Sequence, residues 1–560
     1  MSEQADPIPT EGETSPASWG PFEPLRERGF RLIWLASLLS NFGFLILGVG
    51  AAWEMTRLNV PVSMVALVQT AITLPLMLIA VPAGAIADMF DRRKVAMTGL
   101  GFAMLSAAVL TMLTLVGLAT PWVLLGFCSL IGAGVALYGP AWQASVIELV
   151  RPDRLPAAVA LNSVSYNLAR TVGPALGGLV VMVAGAYAAF GINALFYLPL
   201  LGAFLAWKRK HISPRLPPEQ LHRAIISGAR YAIHSTPIRN VVVRAFVVGV
   251  LGASTMALAP LVAKHLLDGG ASTYGLLLGA TGVGATLGSL SLDRLRSVLS
   301  AEQALRLCPI VTGLPIIGVG FSHSLALTWT LLLISGAGYM LMIALLNVGV
   351  QLSAPRWVTA RALAWYQSAI TGGIALGAWL WGLAAGEWGL GMAFLLSGVL
   401  LVFSALLGFL LPVPDGSLSD VEVVQLRNEL DVSMPLTARS GPVVIEIDYR
   451  VDPDNARAFY AVMLKVQRAR MRNGGHDWSI SRDIADPSLW TERYHFLTWG
   501  DYIRQRARFT QADHDLQAEA SAFHQGESLI VRRRLERPFG SVRWRADSPD
   551  SGTPVELLTP

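Results

Sequence analysis

The chain has 560 residues, of which 53% are hydrophobic and 14% are charged, whereas a soluble protein of this size carries about 25% charged residues. This deficit excludes an ordinary soluble protein and indicates that much of the surface faces lipid. Loop arginines explain the net charge of +5, so nucleic acid is not an expected partner. Cys128 and Cys308 lie in separate apolar segments, which predicts neither a disulfide framework nor a metal site.

Apolar segments of the length needed to cross a bilayer, about 20 residues, recur along the chain. After a predicted cytoplasmic tail at residues 1–28, a first six-helix half is predicted at 29–207. A charged central loop at 208–238 then precedes a second six-helix half at 239–412. The predicted fold class is therefore an all-α membrane bundle of twelve transmembrane helices. The predicted spans lie near 31–53, 63–87, 95–117, 121–147, 156–182, 186–207, 240–264, 273–292, 302–321, 325–350, 358–386 and 389–411.

Basic residues collect in the loops on one side of these spans. The central loop is rich in them, and the opposite side holds little more than Arg57 and Lys264. Because cytoplasmic loops are enriched in Lys and Arg, both termini are predicted to be cytoplasmic, with the protein in the inner, or cytoplasmic, membrane. The other basic residues of the predicted cytoplasmic loops are Arg92, Arg93, Lys94, Arg151, Arg154, Arg294, Arg296 and Arg356.

The loop between the second and third spans carries the most specific motif, which runs from Gly84 through Asp88 to Arg92, Arg93 and Lys94. Gly84 allows a close helix contact, and Asp88 at a helix end can face the positive N-terminus of another helix. Arg92 is predicted to pair with Glu148 at the end of span four. The alternative is a generic basic cytoplasmic loop. A degenerate copy at Gly288–Arg294 is expected if the two halves are repeats.

The fifth span places polar groups and glycines on one face, because its members fall within an arc of about 80° at 100° per residue. A charge such as Arg170 near mid-span costs at least about 2.5–3.5 kcal/mol, so it should face a cavity or a partner. Arg170 is either a substrate or anion contact or a structural anchor to backbone carbonyls. The face comprises Asn162, Tyr166, Arg170, Gly173 and Gly177, with Pro174 and Gly178 beside it.

The eleventh span echoes the fifth, since Gly373 and Gly377 lie 200 residues after Gly173 and Gly177. This correspondence predicts two pseudo-equivalent halves with a site between them near the middle of the membrane. The alternative role for each candidate below is packing, which is the more common role of such residues. The further candidate substrate contacts are Asn41, Gln69, Tyr138, Trp142, Trp365 and Gln367.

A missing motif limits the energy sources that the protein could use. No Gly-Lys dipeptide is present, so a phosphate-binding loop for ATP is not predicted, and no cofactor is expected. Proton coupling is the default, but it calls for a buried carboxylate. Glu54 near the outer end of span one is a candidate for it, and Glu387 near the outer end of span eleven is another that could be interfacial.

From about Gly441 the pattern changes to that of a soluble domain. Predicted strands and helices follow in the order β-α-β-β-α-β, which is a ferredoxin-like α+β layout over 441–540. Residues 413–440 are predicted to be a linker, and 541–560 a disordered tail. The predicted strands are Val443–Arg450, Asp477–Asp483, Arg493–Trp499 and Leu529–Leu535, and the predicted helices are Pro453–Arg472 and Thr510–His524.

The motifs in Gly84–Lys94, Arg151–Gly178 and Ala360–Gly377 resemble those of the major facilitator superfamily. Over about residues 20–412 the chain resembles the branch of bacterial secretion permeases that includes the enterobactin exporter. The resemblance implies export of a drug, siderophore or similar metabolite by alternating access. It also implies that the Asp88 and Arg92 contacts latch the outward-facing state.

The C-terminal domain resembles antibiotic-biosynthesis-monooxygenase-like domains around Thr498–Trp499, Arg504–Gln505 and Thr510–His514. Such domains pair through their sheets, so the resemblance implies a regulatory module or a homodimer contact. Two alternatives stay open. One is a membrane-anchored enzyme, and the other is an importer or lipid transporter of the same fold. In the enzyme, a pocket would be lined by His476, His495, His524, Trp478, Trp490 and Trp499.

Overall fold

The computed structural model describes residues 22–151, 154–207, 229–231, 233–355, 358–413, 432–434, 436–507, 509–526 and 528–536. Residues 1–21 of the predicted N-terminal tail and the whole predicted C-terminal tail at 541–560 lie outside the described residues. The same is true of residues 208–228 of the predicted central loop and of most of the predicted linker.

The first half consists of six long helices. Side-chain caps begin two of them. The Asp91 carboxylate accepts hydrogen bonds from the backbone amides of Arg93 and Lys94, at 2.9 and 3.4 Å, and Thr120 caps the next helix. The helices are α1 (Arg28–Arg57), α2 (Val62–Met89), α3 (Arg92–Leu115), α4 (Pro121–Leu149), α5 (Leu155–Ala184) and α6 (Ala186–Ala206).

The second half repeats this arrangement. Its helices are α7 (Thr236–Gly252), α8 (Ala271–Leu290), α9 (Ala301–Val319), α10 (Leu325–Ser353), α11 (Thr359–Trp388) and α12 (Leu390–Phe403). Short helical turns extend α7 to Leu266 and α12 to Leu410.

The number of membrane spans agrees with a polytopic membrane protein. Ten helices of the described residues are long and apolar enough to cross a membrane, and α8 with Leu292–Val298 forms an eleventh candidate bent by 48°. In this count α9 is absent because Glu302, Arg306 and two prolines make it less apolar. The described residues therefore confirm an all-α membrane bundle, in which ten or eleven helices are candidate membrane spans.

The two halves are built alike. In the first half, α1 packs against α5 and α6, and α4 packs against α2 and α3. The equivalent contacts in the second half join α7 to α11 and α12, and α10 to α8 and α9. Gly185 and Gly389 both have φ of +83° and form one-residue turns, after α5 and after α11. Such a conformation favours glycine, which explains why both turns carry it.

The soluble domain is a four-stranded antiparallel sheet with helices on one face. Its strand order β2-β3-β1-β4 is that of a ferredoxin-like fold and confirms the predicted α+β domain. Its core holds Ile445, Tyr449, Phe459, Met463 and Phe496. The elements are β1 (Val443–Arg450), α13 (Ala456–Arg472), β2 (His476–Arg482), β3 (Leu489–Phe496), α14 (Trp499–Arg506), α15 (Gln511–Ser521) and β4 (Ile530–Leu535).

The third strand differs from its prediction. It begins at Leu489 and ends at Phe496, and Trp499 opens α14 because the Thr498 side chain caps that helix. The predicted strand, Arg493–Trp499, therefore includes the residue that caps α14 and the first residue of that helix. Pairing of all eight residues of β3 with β1 explains the earlier start, since Leu489 lies opposite Arg450.

The exit from the membrane bundle is fixed by a charged cluster. Glu302 at the start of α9 accepts hydrogen bonds from Arg244, Arg306 and the backbone amide of Val413, at 2.8, 3.1 and 2.9 Å. Arg306 also donates to the Gly408 carbonyl and lies over the Phe409 ring. The end of the last helix is thereby tied to α7 and α9.

Candidate functional site

A cavity of about 370 Å³ lies between the two halves. This volume is within the usual range of small-molecule sites, about 300–1,000 Å³. Helices of the first half contribute through α1, α2 and α5, and those of the second half through α8, α10, α11 and the turn after α7. The cavity is therefore the place where the halves share a surface.

Arg170 on α5 is the charged residue that lines this cavity in the part of the chain that the structure describes. Its guanidinium Nη1 lies 3.5 Å from the Met340 sulfur of α10. No carboxylate lines the cavity among the described residues. A fixed positive charge thus faces the space between the halves.

The polar lining comes from both halves and consists of hydroxyls and amides. The remaining lining is apolar, including Phe44, Val68, Ile72 and Leu278. An apolar wall with a few placed polar groups is typical of a site for an organic molecule. The polar lining residues besides Arg170 are Gln69, Thr73, Tyr166, Tyr274, Thr281, Tyr339, Gln367 and Thr371.

Of the predicted substrate contacts, Gln69, Tyr166, Arg170 and Gln367 line the cavity, and the other five do not. The Asn41 amide donates to the Ser165 hydroxyl at 3.2 Å, between α1 and α5. Asn162 is half-buried elsewhere on α5, and Trp365 packs against the core. Asn41, Asn162 and Trp365 thus make other contacts in this conformation and stay candidates.

Tyr138 and Trp142 lie on α4 and contact other helices of the first half. The Tyr138 hydroxyl lies 3.4 Å from that of Ser37, and its ring meets Phe204 edge-on. Trp142 stacks on Phe30 and also meets Phe204. Both aromatic side chains are packing residues of the first half.

The predicted packing glycines lie where helices approach closely. A Cβ at Gly173 would lie 3.2 Å from Leu45, and one at Gly177 would lie 3.1 Å from Val49, both on α1. Gly373 and Gly377 approach the backbone of α7 in the same way. Gly178 faces α8 in the other half, and Pro174 lines the cavity. The repeated pairs thus join equivalent helices.

The two halves meet through α5 with α8 and through α2 with α11. The Thr171 and Thr286 hydroxyls are 2.8 Å apart, and the Thr70 hydroxyl donates to the Ala375 carbonyl at 2.7 Å. At the end away from the basic loops, the Lys264 ammonium donates to the Thr56 carbonyl and to Asn59, at 3.0 Å each. The halves are therefore in contact at that end.

The gating candidates lie at the opposite end of the bundle. Arg92 donates to Glu148 at 3.0 Å and to the Ala144 carbonyl at 2.8 Å, which forms the ion pair that the sequence predicts. Arg93 donates to the Leu205 carbonyl at 2.8 Å. The side chain of Asp88 lies outside the described residues.

A Cβ at Gly84 would meet no atom of the described residues within 4 Å. The halves are held together at the other end, by α5 with α8 and by Lys264.

Glu54, the candidate proton carrier, is buried but paired. Both carboxylate oxygens accept hydrogen bonds from Arg57, at 2.6 and 3.0 Å. Glu54 does not line the cavity.

The soluble domain holds a buried polar network. Glu492 is fully buried and accepts hydrogen bonds from Arg470, Trp478 and Tyr449, at 3.1, 2.9 and 3.3 Å. Burial lowers the pKa of Arg470, but Glu492, Tyr494 and Tyr449 together outweigh this effect and raise that pKa above its ordinary value. Arg470 is therefore held as a cation.

Four of the six residues suggested for an enzymatic pocket make other contacts in the described part of the domain. His476 and His495 stack on each other, His524 accepts a hydrogen bond from the Arg450 amide, and Trp499 packs on Tyr502. The cavity shown in this domain has a volume of about 10 Å³, and none of the six lines it. It lies between α13 and α15.

The soluble domain contacts the segment that leads into α7. Arg230 donates to the Gly474 carbonyl at 3.2 Å, and the Arg472 guanidinium lies 5.7 Å from the centre of the Tyr231 ring. Tyr231 is 3% exposed. Burial raises the pKa of Tyr231 to about 12, so the phenol is neutral at physiological pH.

The comparisons with known proteins agree with this architecture. A family model for a transmembrane secretion effector matches residues 19–538, which include the soluble domain. The staphyloferrin A transporter of Staphylococcus aureus is 24% identical over 253 residues, which are 44% of this chain and 63% of that protein. The multidrug efflux pump Tap of Mycolicibacterium fortuitum is 26% identical over 351 residues, 59% of this chain and 83% of the pump. The chain thus spans less than two thirds of the first relative.

Solved structures share the fold. An inward-facing, unoccupied bacterial homologue of the human lysosomal transporter Spinster has a TM-score of 0.57 and 14% identity, with 69% of this chain and 97% of that chain covered. A POT family transporter in complex with a thioalcohol-conjugated peptide has a TM-score of 0.55 and 14% identity, with coverage of 68% and 96%.

Proposed function

Because the chain belongs to the transmembrane secretion effector family of the major facilitator superfamily, we propose that it exports a small organic molecule across the cytoplasmic membrane. The observation that carries this proposal is the cavity of about 370 Å³ that both halves line. Export of a drug, siderophore or similar metabolite is supported by the names of its relatives, a staphyloferrin A transporter and a multidrug efflux pump. The family and these relatives are transporters rather than enzymes.

The mechanism is alternating access, in which the halves rock about the cavity. The basic loops are on the cytoplasmic side, as the concentration of Arg and Lys favours, and both termini are cytoplasmic. The contacts of Lys264 with Thr56 and Asn59 then close the outer end. In the opposite state Gly84 makes a close helix contact, and Asp88, Arg92, Arg93 and Glu148 latch that state.

Protons drive the cycle in this proposal, with Glu54 as the carboxylate that takes them up. Both of its carboxylate oxygens accept hydrogen bonds from Arg57, so a role in proton transfer requires that this pair opens. Proton uptake is thereby linked to a rearrangement at the outer end of α1, beside the Lys264 contact. Import, or movement of a lipid, uses the same fold and is the competing function.

The soluble domain acts as a regulatory module that is docked on the connection between the two halves. Its contacts with Arg230 and Tyr231 support this role, because residue 231 lies just before α7. A homodimer through the outer face of the sheet is the competing role. That face pairs its own charges, with Arg534 on Glu446 and Arg532 on Asp448, so such a dimer would be polar.

Everted membrane vesicles test the export proposal. The vesicles are energised with a pH gradient and exposed to a panel of drugs and siderophores, and substrate-dependent proton release is followed with a pH-sensitive dye. Wild-type protein should release protons with at least one compound, and Asp88→Asn should abolish the release while membrane insertion is unchanged.

Asp268→Asn is the matched control, because Asp268 is exposed at the other end of the bundle and its φ of +47° suits asparagine. This variant should transport normally. Normal transport by Asp88→Asn would contradict the gating role, and movement of the compounds only in the opposite direction would contradict export. Light scattering of the full-length protein in detergent distinguishes a docked monomer from a dimer.

A further inference from the structure

We infer that the cavity between the halves takes organic anions, with a carboxylate or similar acid group against Arg170 and an apolar body against the remaining wall. This inference rests on the proposed transport function and names the substrate class of the same site. It depends on the charge balance of the cavity, on the fate of the nearby carboxylates, and on the polar groups around Arg170.

The charge balance is uneven. Arg170 has its guanidinium in the cavity, with the Met340 sulfur as a hydrogen-bond partner at 3.5 Å. A thioether accepts a hydrogen bond only weakly and carries no charge. An unbalanced cation at this depth is costly. An anionic ligand would offset this cost, whereas a cationic ligand would add to it.

Two carboxylates within the bundle are already engaged. The buried Glu54 on α1 uses both oxygens for Arg57, and the half-buried Glu302 on α9 uses both for Arg244 and Arg306. Neither lines the cavity. Among the described residues no carboxylate supplies the counter-charge for Arg170 in the cavity, so a bound anion would supply it.

The other polar groups of the cavity are suited to an acid group. Tyr166 and Tyr339 supply hydroxyl donors, and Gln69 and Gln367 supply amide donors, from both halves. Hydrogen bonds to a charged acceptor are the stronger kind. Apolar residues such as Phe44, Val68, Ile72 and Ile370 form the rest of the wall and fit an apolar body.

Matched acid and amide probes test the inference on purified full-length protein in detergent. The probes are benzoate, 1-naphthoate and dodecanoate, each beside its neutral amide of the same shape. Equilibrium binding should favour at least one acid over its amide by about tenfold or more, as expected for a charge-assisted hydrogen bond. Arg170→Met should remove this preference, and Arg170→Lys should retain part of it.

Arg296→Met is the control, because it removes a positive charge from an exposed position outside the cavity. It should leave the preference unchanged. The inference is overturned if every amide binds as well as its acid, if no acid binds, or if Arg170→Met keeps the preference. Binding in detergent does not depend on the direction of transport or on its coupling to protons. An acid preference without transport in vesicles would therefore contradict the proposed export but would still support the anion site.

Discussion

The hydroxyl oxygens of Thr171 and Thr286 lie 2.8 Å apart and join α5 of one half to α8 of the other. Thr171 also contacts the Gly282 carbonyl at 3.2 Å. This contact lies beside the cavity, next to Arg170 in sequence, and reports whether the halves are together.

Thr171→Cys with Thr286→Cys should form a disulfide under oxidising conditions and stop transport. The two side chains are already close enough for their sulfurs to meet with little backbone movement. Transport should recover when the reductant dithiothreitol is added. The measurement is vesicle uptake before and after reduction, with each single cysteine variant as a control. Unimpaired uptake by the oxidised double variant would show that these helices do not separate during transport.

Lys264→Met should weaken closure of the end away from the basic loops. It removes charge-assisted hydrogen bonds to Thr56 and Asn59, and the population open at that end should rise by up to about tenfold. The measurement is the rate at which a membrane-impermeant maleimide labels Thr73→Cys in the cavity. Lys264→Arg keeps the charge and serves as the control. Equal labelling rates in Lys264→Met and wild type would refute this latch.

Replacing Arg92 and Glu148 singly and together should give non-additive losses of transport. Their ion pair measures 3.0 Å and both side chains are about a quarter exposed, at 24% and 23%. Coupling of about 1 kcal/mol or less is therefore expected. Arg92→Gln should be more damaging than Glu148→Gln, because it also loses the Ala144 carbonyl. Strictly additive effects would show that Arg92 and Glu148 are not coupled during transport.

Glu492→Gln should destabilise the soluble domain by about 3 kcal/mol, because it leaves the buried Arg470 charge without its partner. The measurement is hydrogen exchange of the β1 and β3 amides in the full-length protein. Glu446→Gln, on the outer face of the same sheet, is the control and should have a much smaller effect. Unchanged protection in Glu492→Gln would mean that the ion pair contributes little.

Tyr231→Ala should release the soluble domain from the membrane bundle, whereas Tyr231→Phe should keep it docked. The ring is buried under Arg472, and Ala removes most of that contact. Hydrogen exchange at residues 470–475 should increase only in the Ala variant. Since the pKa of Tyr231 is raised, docking should persist below about pH 10, the ordinary tyrosine pKa, and weaken as the pH rises toward about 12. Loss of docking at neutral pH in Tyr231→Phe would contradict this.

The twelve helices and the ferredoxin-like order could be predicted because each depends on local apolar length or strand alternation. The cavity lining is harder to predict, since the rotation of each helix about its axis depends on the helices that pack against it. Tyr138 and Trp142 have the composition of ligand contacts, but α4 turns them toward Phe204.

Several lining residues were missed although they carried a periodic signal. Gln367, Ile370, Thr371 and Ile374 follow one another at helical spacing on α11, and Tyr274, Leu278 and Thr281 do so on α8. Gln367 alone was singled out from these two sets. The spacing defines a face, but it does not tell whether that face meets a cavity, a helix or lipid.

The cluster around Glu302 has a mechanical consequence. Val413, the first residue of the predicted linker, is held by the same carboxylate that binds Arg244 of α7 and Arg306 of α9. A force applied to the chain at Val413 is therefore transmitted through Glu302 to α7 and α9. The soluble domain is connected to the second half in two places. One is the chain that continues from Val413, and the other is the contact with Arg230 and Tyr231 just before α7.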